Sequence, residues 1–393
     1  MTDHVLVLNA GSSSVKFAVY GRAKKGWADE VRGQVEGIGT APKFSAKDAA
    51  GNKLVDEKLG ADVRDARAAL DELAAWLRKR FPDAKIVGVG HRVVHGGSRH
   101  AAPARVTDAL LSDLRALIPL APLHQPHNLA AIDALRERRP DVPQVACFDT
   151  SFHRGQTEVA ELVPLPKRIR EQGVQRYGFH GLSYEYIAST LPKAAPKIAN
   201  GRVIVAHLGS GASLCAMKRR KSVDCSFGFT ALDGLCMGTR PGALDPGVVL
   251  HLFQTLEMSA KDVEAMLYKE SGLLGISGVS NDMRELQASK EPAARLAIDY
   301  FVYEATKQIG ALAAVLGGVD ALVFTAGIGE RSVEIRKRIC AASEWLGVKL
   351  DGRANAKGGP RISAPRSRVS VWVIPTNEEL MIARHTASAL GLA

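Results

Sequence analysis

Residues 5–19 read VLVLNAGSSSVKFAV and residues 203–217 read VIVAHLGSGASLCAM, and a shift of 198 positions lays one on the other without a gap. In each copy, apolar runs flank a loop of Gly and small hydroxyl residues, the pattern of two strands joined by a hairpin. Gly11 falls on Gly209 and Ser12 on Ser210. A repeat at this separation predicts two related domains, with a boundary near residue 150. Backbone N–H groups and hydroxyls of such loops can approach an anion closely, so both read as phosphate cradles, with ordinary hairpin turns as the alternative. No G-x-x-x-x-G-K-[ST] string occurs, and a strand rather than a helix follows each loop, so neither the P-loop nor the dinucleotide fingerprint applies.

Outward from the two hairpins the chain alternates strands with helices. Val63, Ala66, Leu70, Leu73 and Leu77 stand at helical spacing within residues 63–81. Ile86 to Val94 reads as a strand running into HGG, helical segments near 107–118 and 127–138 flank LAPLHQP, and the apolar run Gln144 to Phe148 ends at Asp149. The second half offers strands at Val203–His207 and Leu214–Met217, a basic turn KRRK at 218–221, and helices at 260–270 and 292–316. A strand at Ala321–Thr325, a GIGE turn, another helix, a strand at Val369–Ile374 and a last helix from about 377 complete it. This order predicts an α/β fold.

Composition bounds the rest. With 393 residues, 46% hydrophobic and 24% charged, the chain has a globular profile and room for two domains. Five cysteines without a C-x-x-C pair argue against a disulfide framework or a zinc ribbon, and favour a reducing cytoplasm. The N-terminus lacks the basic and apolar regions of a signal peptide, and the most apolar segment, 307–330, is broken by glycines, so export and membrane insertion are not expected. A net charge of +11 admits anionic partners of several kinds; no aromatic-interleaved basic stretch points to nucleic acid.

Four segments put chemistry between glycines or at strand ends: Arg92 in GHRVVHGG, Asp149 in FDTSFH, His180 in RYGFHG and Arg240 in MGTRPG. A cationic set with one carboxylate beside two phosphate loops favours phosphoryl transfer, although a salt bridge or a cap explains each residue alone. In TNEEL, Thr376 and Glu379 are spaced as a capping box, which leaves Glu378 without a structural task and open to magnesium.

In this order LNAGSSSVKF, GHRVVHGG, LAPLH, FDTSFH, RYGFHG, HLGSGAS, MGTRPG, ESGLLG, FTAGIGE and IPTNEEL resemble the acetate kinase family, within the superfamily of sugar kinases, actin and heat-shock ATPases. The resemblance spans essentially the whole chain. It implies two RNase H-like domains of duplicated origin, 1–150 plus 377–393 and 151–376, with an ATP cleft between them, in a cytoplasmic homodimer. The implied activity is reversible ATP-dependent phosphorylation of acetate to acyl phosphate and ADP, with a propionate preference as the alternative. The implied metal is Mg2+, for which Mn2+ can substitute, held by Asn9 and Glu378. Lys16 is implied to reach ATP, and His207, Leu208, Gly209, Ser210 and Gly211 to cradle phosphate. Asp282, Met283 and Arg284, with Gly327, Ile328, Gly329, Glu330 and Arg331, are implied as nucleotide-binding segments. Arg92 and Arg240 are implied to hold the carboxylate and the phosphoryl group, His180 to stabilise the transition state, Asp149 to be the catalytic acid, and Val93, Leu123 and Phe179 to wall a small apolar pocket. The sequence departs from the family pattern at Ser210 and Arg331, both usually Asn, at Tyr184, usually His, at Pro241 to Ala243, usually S-G-D, and at Ala231, usually Pro.

Overall fold

Both Gly/Ser hairpins form, and each opens a sheet of its own in the computed structural model, which describes residues 2–24 and 26–392. The chain divides into two compact units, Met1–Ser151 with Asn377–Ala393 and Phe152–Thr376.

In the first unit, β1 (Thr2–Ala10) and β2 (Ser14–Arg22) make the hairpin. They share a sheet with β3 (Trp27–Glu36), β4 (Lys43–Asp48), β5 (Lys53–Lys58), β6 (Ala84–Val93), β7 (Ala104–Arg105) and β8 (Gln144–Phe148). The order is β5-β4-β3-β2-β1-β6-β8-β7, with β1, β6 and β8 parallel. Helix α1 (Ala66–Arg80) is capped by Asp65, whose side chain accepts from the Ala68 N–H, and carries Arg78, Lys79 and Arg80 in its last turn, where they suit the helix dipole. It buries Ala69, Leu70 and Leu73 on the core of β1 to β4, while α2 (Asp108–Ala116) and α3 (Gln125–Arg138) pack with Val93, Ala146 and Phe148 in a second cluster. The last helix, Glu378–Ala389, lies on β1, β6 and β8. Gly90 lets it approach, because a side chain there would overlap Ile382 and Thr386.

The second unit repeats this plan. Its strands β9 (Arg202–Leu208), β10 (Ala212–Lys218), β11 (Lys221–Cys225), β12 (Ala321–Thr325) and β13 (Ser370–Val373) run β11-β10-β9-β12-β13. That is the order of β3-β2-β1-β6-β8, with the same antiparallel hairpin and the same parallel crossovers. Such agreement is what a duplicated origin leaves behind.

The structure corrects four readings. The gapless repeat is off by one beyond the loop: Ala10 pairs with Val15 but Leu208 with Ala212, so the first loop is one residue longer and Lys16, opposite Asn9, corresponds to Ser213, opposite His207. The side-chain period of two makes that slip decisive, since it exchanges the faces of the second strand. The GIGE segment is no turn but a short helix, Ala326–Arg331, entered through Ala326 at φ 64°. Residues 260–270 divide into an α-helix, Ala260–Ala265, and a π-helical turn, Met266–Glu270. Finally, the cap of the last helix is Asn377, whose side chain accepts from the Leu380 N–H, whereas the Thr376 N–H goes to Glu330.

Candidate active site

In the first unit the parallel strands end side by side and deliver their terminal residues to one place. Arg92 on β6 and Asp149 just past β8 form a close pair, Arg92 Nε at 3.1 Å from both carboxylate oxygens and Nη2 at 2.5 Å from one. The Asp149 carboxylate is almost wholly buried. Glu378, at the start of the last helix, stands 3.9 Å from Arg92 Nε. Burial pushes the Glu378 carboxyl up to about 7, Arg92 pulling against that shift and the charges of Asp149 and Glu379 adding to it. Asn9, the penultimate residue of β1, lies opposite the exposed Lys16 on β2.

Buried amides fix the loops around this pair. Asn128 on α3 donates to the Ala10 carbonyl at 2.6 Å and accepts from the Val94 N–H at 3.0 Å, so one side chain ties the end of β1 to the end of β6. Gln125 takes the His95 N–H and donates to the His95 carbonyl. Val93, expected as a pocket wall, is wholly buried in the core; Leu123 is half-buried.

In the second unit, the loop Gly209–Gly211 follows β9. A methyl on Gly211 would stand 3.0 Å from Arg240 Nη2 and 3.3 Å from His180 Nε2, so both side chains converge on bare backbone. Arg240 Nη1 donates to the Ala231 carbonyl at 2.8 Å, and among the described residues no Asp or Glu pairs with it. The half-buried guanidinium thus stands without a carboxylate partner among the described residues. His180 holds φ 57° and ψ 23° as cap of the helix Gly181–Ala194, a left-handed conformation uncommon for a non-glycine residue. Its ring stacks on His207 at 4.1 Å.

The backbone before His180 is held by His153. The His153 Nε2–H donates to the Phe179 carbonyl at 2.9 Å, and Nδ1 lies 2.8 Å from Ser222 Oγ. Burial drives this imidazole down to about 4, so it stays neutral. His207 Nδ1 contacts Ser183 Oγ at 2.8 Å, and that hydroxyl donates to Thr376.

Two of the expected nucleotide segments carry evident structural tasks. Asp282 caps the short helix Met283–Ala288 and pairs with the exposed Arg284, whose hydrogen bonds hold its carboxyl at about 2, with Met283 buried beneath. The Glu330 carboxylate accepts from the Ala326 and Thr376 N–H groups at 2.8 and 3.1 Å. Around it Leu208 and Gly329 are buried and Ile328 half-buried, while Ser210, Gly327 and Arg331 remain exposed. Sequence reasoning did not assign Ser213, Asn128 or His153 to the site. Ser213 was findable only through the hairpin register that equates it with Lys16, and Asn128 and His153 act through backbone carbonyls that no motif announces.

Comparison with known proteins shows the family. Residues 4–384 match the model of the acetokinase family. The chain is 54% identical to an acetate kinase of Rhodopseudomonas palustris, covering 98% of each, and 49% identical to one of Rhizobium meliloti, covering 99% of each. Among solved structures it resembles an acetate kinase of Porphyromonas gingivalis (TM-score 0.87, 36% identity, 99% of this chain and 100% of that one). It also resembles a propionate kinase of Francisella tularensis (TM-score 0.91, 37% identity, 98% and 99%). With its two hairpin-led sheets and its charged strand ends, the chain belongs to the acetokinase family.

Proposed function

We propose that the chain is an acetate kinase, moving the γ-phosphoryl group of ATP to acetate by direct in-line transfer and running in both directions. The observation that carries this reading is Arg240, a guanidinium without a carboxylate, aimed with His180 Nε2 at the Gly211 backbone. A carboxylate oxygen attacks the γ-phosphorus, the bond to the β–γ bridging oxygen breaks, and ADP leaves. The nucleophile has a pKa of about 4 and is ionised at pH 7, so no general base is needed. Asp149, locked on Arg92, therefore orients that arginine rather than accepting a proton. What the protein must offset is repulsion between two anions, the work of Arg92, Arg240 and His180. His207 to Gly211 are proposed to cradle phosphate, Lys16 to reach ATP, Asp282 to Arg284 and Gly327 to Arg331 to border the nucleotide, and Leu123 and Phe179 to face the acyl methyl, with Val93 buried in the core.

The donor set fits a hard divalent cation. Asn9 and Glu378 offer oxygen only, and two carboxylates crowd one guanidinium at Arg92, leaving surplus negative charge. Magnesium keeps much of its water and takes few protein carboxylates, so two side chains can suffice to hold it. Bound there, Mg2+ or Mn2+ supplies charge neutralisation on the polyphosphate.

Two further properties are proposed. Five buried free thiols suit a reducing cytoplasm. On the helix Pro292–Leu316, Leu296, Tyr300 and Tyr303 share one face by their spacing and are 60%, 38% and 63% exposed, an apolar stripe that a second copy of the chain would cover in a homodimer.

Propionate is the second reading, since a propionate kinase is among the similar solved structures. Trapping with hydroxylamine tests both. Acyl hydroxamate forming from ATP and acetate, with propionate slower and butyrate slower still, supports acetate; a larger kcat/KM for propionate establishes the second reading. No hydroxamate from any of the three acids refutes the proposed activity.

A further inference from the structure

His180 has a third neighbour besides His207 and Phe227. Ser213 Oγ, on β10, lies 2.8 Å from His180 Nδ1, and the Tyr184 hydroxyl lies 2.5 Å from that same oxygen. Tyr184 and Ser213 are both wholly buried, and Tyr184 sits one turn into the helix that His180 caps. The far nitrogen of the ring, Nε2, is the one directed at Gly211 beside Arg240.

We propose that Tyr184 is a positioning residue for His180. Its hydroxyl donates to Ser213 Oγ, Ser213 donates to Nδ1, and the imidazole proton is thereby kept on Nε2, facing the phosphoryl group. The inference rests on the role of His180 proposed above. It follows from an inventory of protons. Ser213 has one hydrogen and two lone pairs, and it lies between a phenol and an imidazole nitrogen. The phenol is the stronger acid of the two hydroxyls and donates across the short contact. Besides its two lone pairs the serine keeps one hydrogen, and in the proposed chain that hydrogen goes to Nδ1, which accepts it only while carrying no hydrogen of its own. A neutral imidazole with Nδ1 as acceptor has its N–H at Nε2. That hydrogen meets an anionic phosphoryl oxygen as a donor, whereas the other tautomer would present a lone pair to it and repel it. Packing by His207 and Phe227 fixes the plane of the ring, and the Tyr184–Ser213 pair fixes which nitrogen bears the proton. Preorganising a donor in this way acts on the transition state more than on substrate binding.

The test compares Tyr184→Phe, which removes one oxygen atom, with Ser213→Ala, the double variant and His180→Ala, in the full chain with ATP, magnesium and acetate. Tyr184→Phe is expected to lower kcat about tenfold with both KM values within about twofold of wild type, and Ser213→Ala to lower kcat at least as far. The double variant is expected to match Ser213→Ala, because the tyrosine acts only through the serine. In protein carrying 15N-labelled histidine, the His180 signals should report the Nε2–H tautomer in wild type and a mixture in Tyr184→Phe. Ser213→Ala and the tautomer signals read the same link even where Tyr184→Phe folds poorly. Wild-type kcat in Tyr184→Phe and Ser213→Ala, with His180→Ala down at least a hundredfold, overturns the inference while His180 keeps its role. So does a tyrosine effect that persists in full when Ser213 is absent, or an unchanged tautomer in Tyr184→Phe. Near-wild-type activity in His180→Ala overturns both the inference and the role it rests on.

Discussion

Arg92 and Arg240 carry the same charge in opposite settings, and the difference predicts different phenotypes. Arg92 is paired with a buried carboxylate, whereas Arg240 is held by one backbone carbonyl. Alanine at either position should lower kcat/KM by at least about a hundredfold, the scale of losing one donor to transition-state charge. Only Arg92→Ala should also lower stability, by about 3 kcal/mol, because it strands Asp149 without its partner. Melting curves beside steady-state kinetics separate the two. Equal melting temperatures with unequal kinetics would contradict the ion-pair account. Ala231 belongs to this scale as well. The sequence suggests that Ala in place of Pro leaves room in an acyl pocket, but the residue's carbonyl holds Arg240. Proline keeps that carbonyl but fixes the backbone φ at 231, so Ala231→Pro acts on the acceptor of an arginine as well as on a wall, and the three-acid comparison in wild type is the cleaner measure of acyl preference.

The start of the last helix shows how an element assigns tasks to neighbouring acids. Asn377 caps it, Glu379 lies 3.8 Å from Arg32, and Glu378 faces Arg92. Asn377→Ala should therefore cost about 1 kcal/mol of stability and Glu379→Ala less than about half of that. Glu378→Ala should raise the magnesium requirement far more than Glu379→Ala, which metal titrations of the activity would show; equal requirements would remove Glu378 from the metal site. The capping box was a reasonable reading of TNEEL, yet a side chain one position later won because the Thr376 N–H is already bound by Glu330. The short apolar strands and the long helix were legible to the residue: Gln144–Phe148, Ala321–Thr325 and Pro292–Leu316. The strands β3 to β5 were not. Of the ten residues of β3 only Val31 and Val35 are buried, so charged residues dilute the alternation on which strand reading depends. The helix Ala326–Arg331 escaped for another reason, since two glycines in six residues read as a turn. At the site, glycine-flanked His and Arg were legible, while the amides and hydroxyls that hold them were not, because their partners are backbone atoms or residues distant in the chain.

On the scale of the whole molecule, the repeated plan sets polar pairs at corresponding places, Asn9 opposite Lys16 at the mouth of one hairpin and His207 opposite Ser213 at the mouth of the other. Acid should weaken the fold through the buried His153. Above pH 6.5 the group is neutral whether folded or unfolded; below it the unfolded chain takes up a proton that the folded chain refuses until about pH 4. Stability is thus intact above pH 6.5 and falls as the pH drops towards 4, by on the order of 3 kcal/mol. Melts from pH 7 to 4.5 should show the decline, and His153→Gln should flatten part of it; an unchanged slope in that variant would contradict the account. The homodimer predicts a sedimenting mass of about twice 42.0 kDa, reduced to the single chain by Leu296→Lys with Tyr303→Lys. A wild-type chain that sediments singly would remove that proposal. The central claim is phosphoryl transfer to a carboxylate, with the Arg240 guanidinium bearing the transition-state charge. Phosphorus NMR of ATP, magnesium and acetate, recorded with wild type and Arg240→Ala side by side, tests it most directly. The account predicts an acetyl phosphate signal that grows as the γ-phosphate signal declines, at least about a hundredfold more slowly in the variant; release of inorganic phosphate alone, or equal rates in the two proteins, would contradict it.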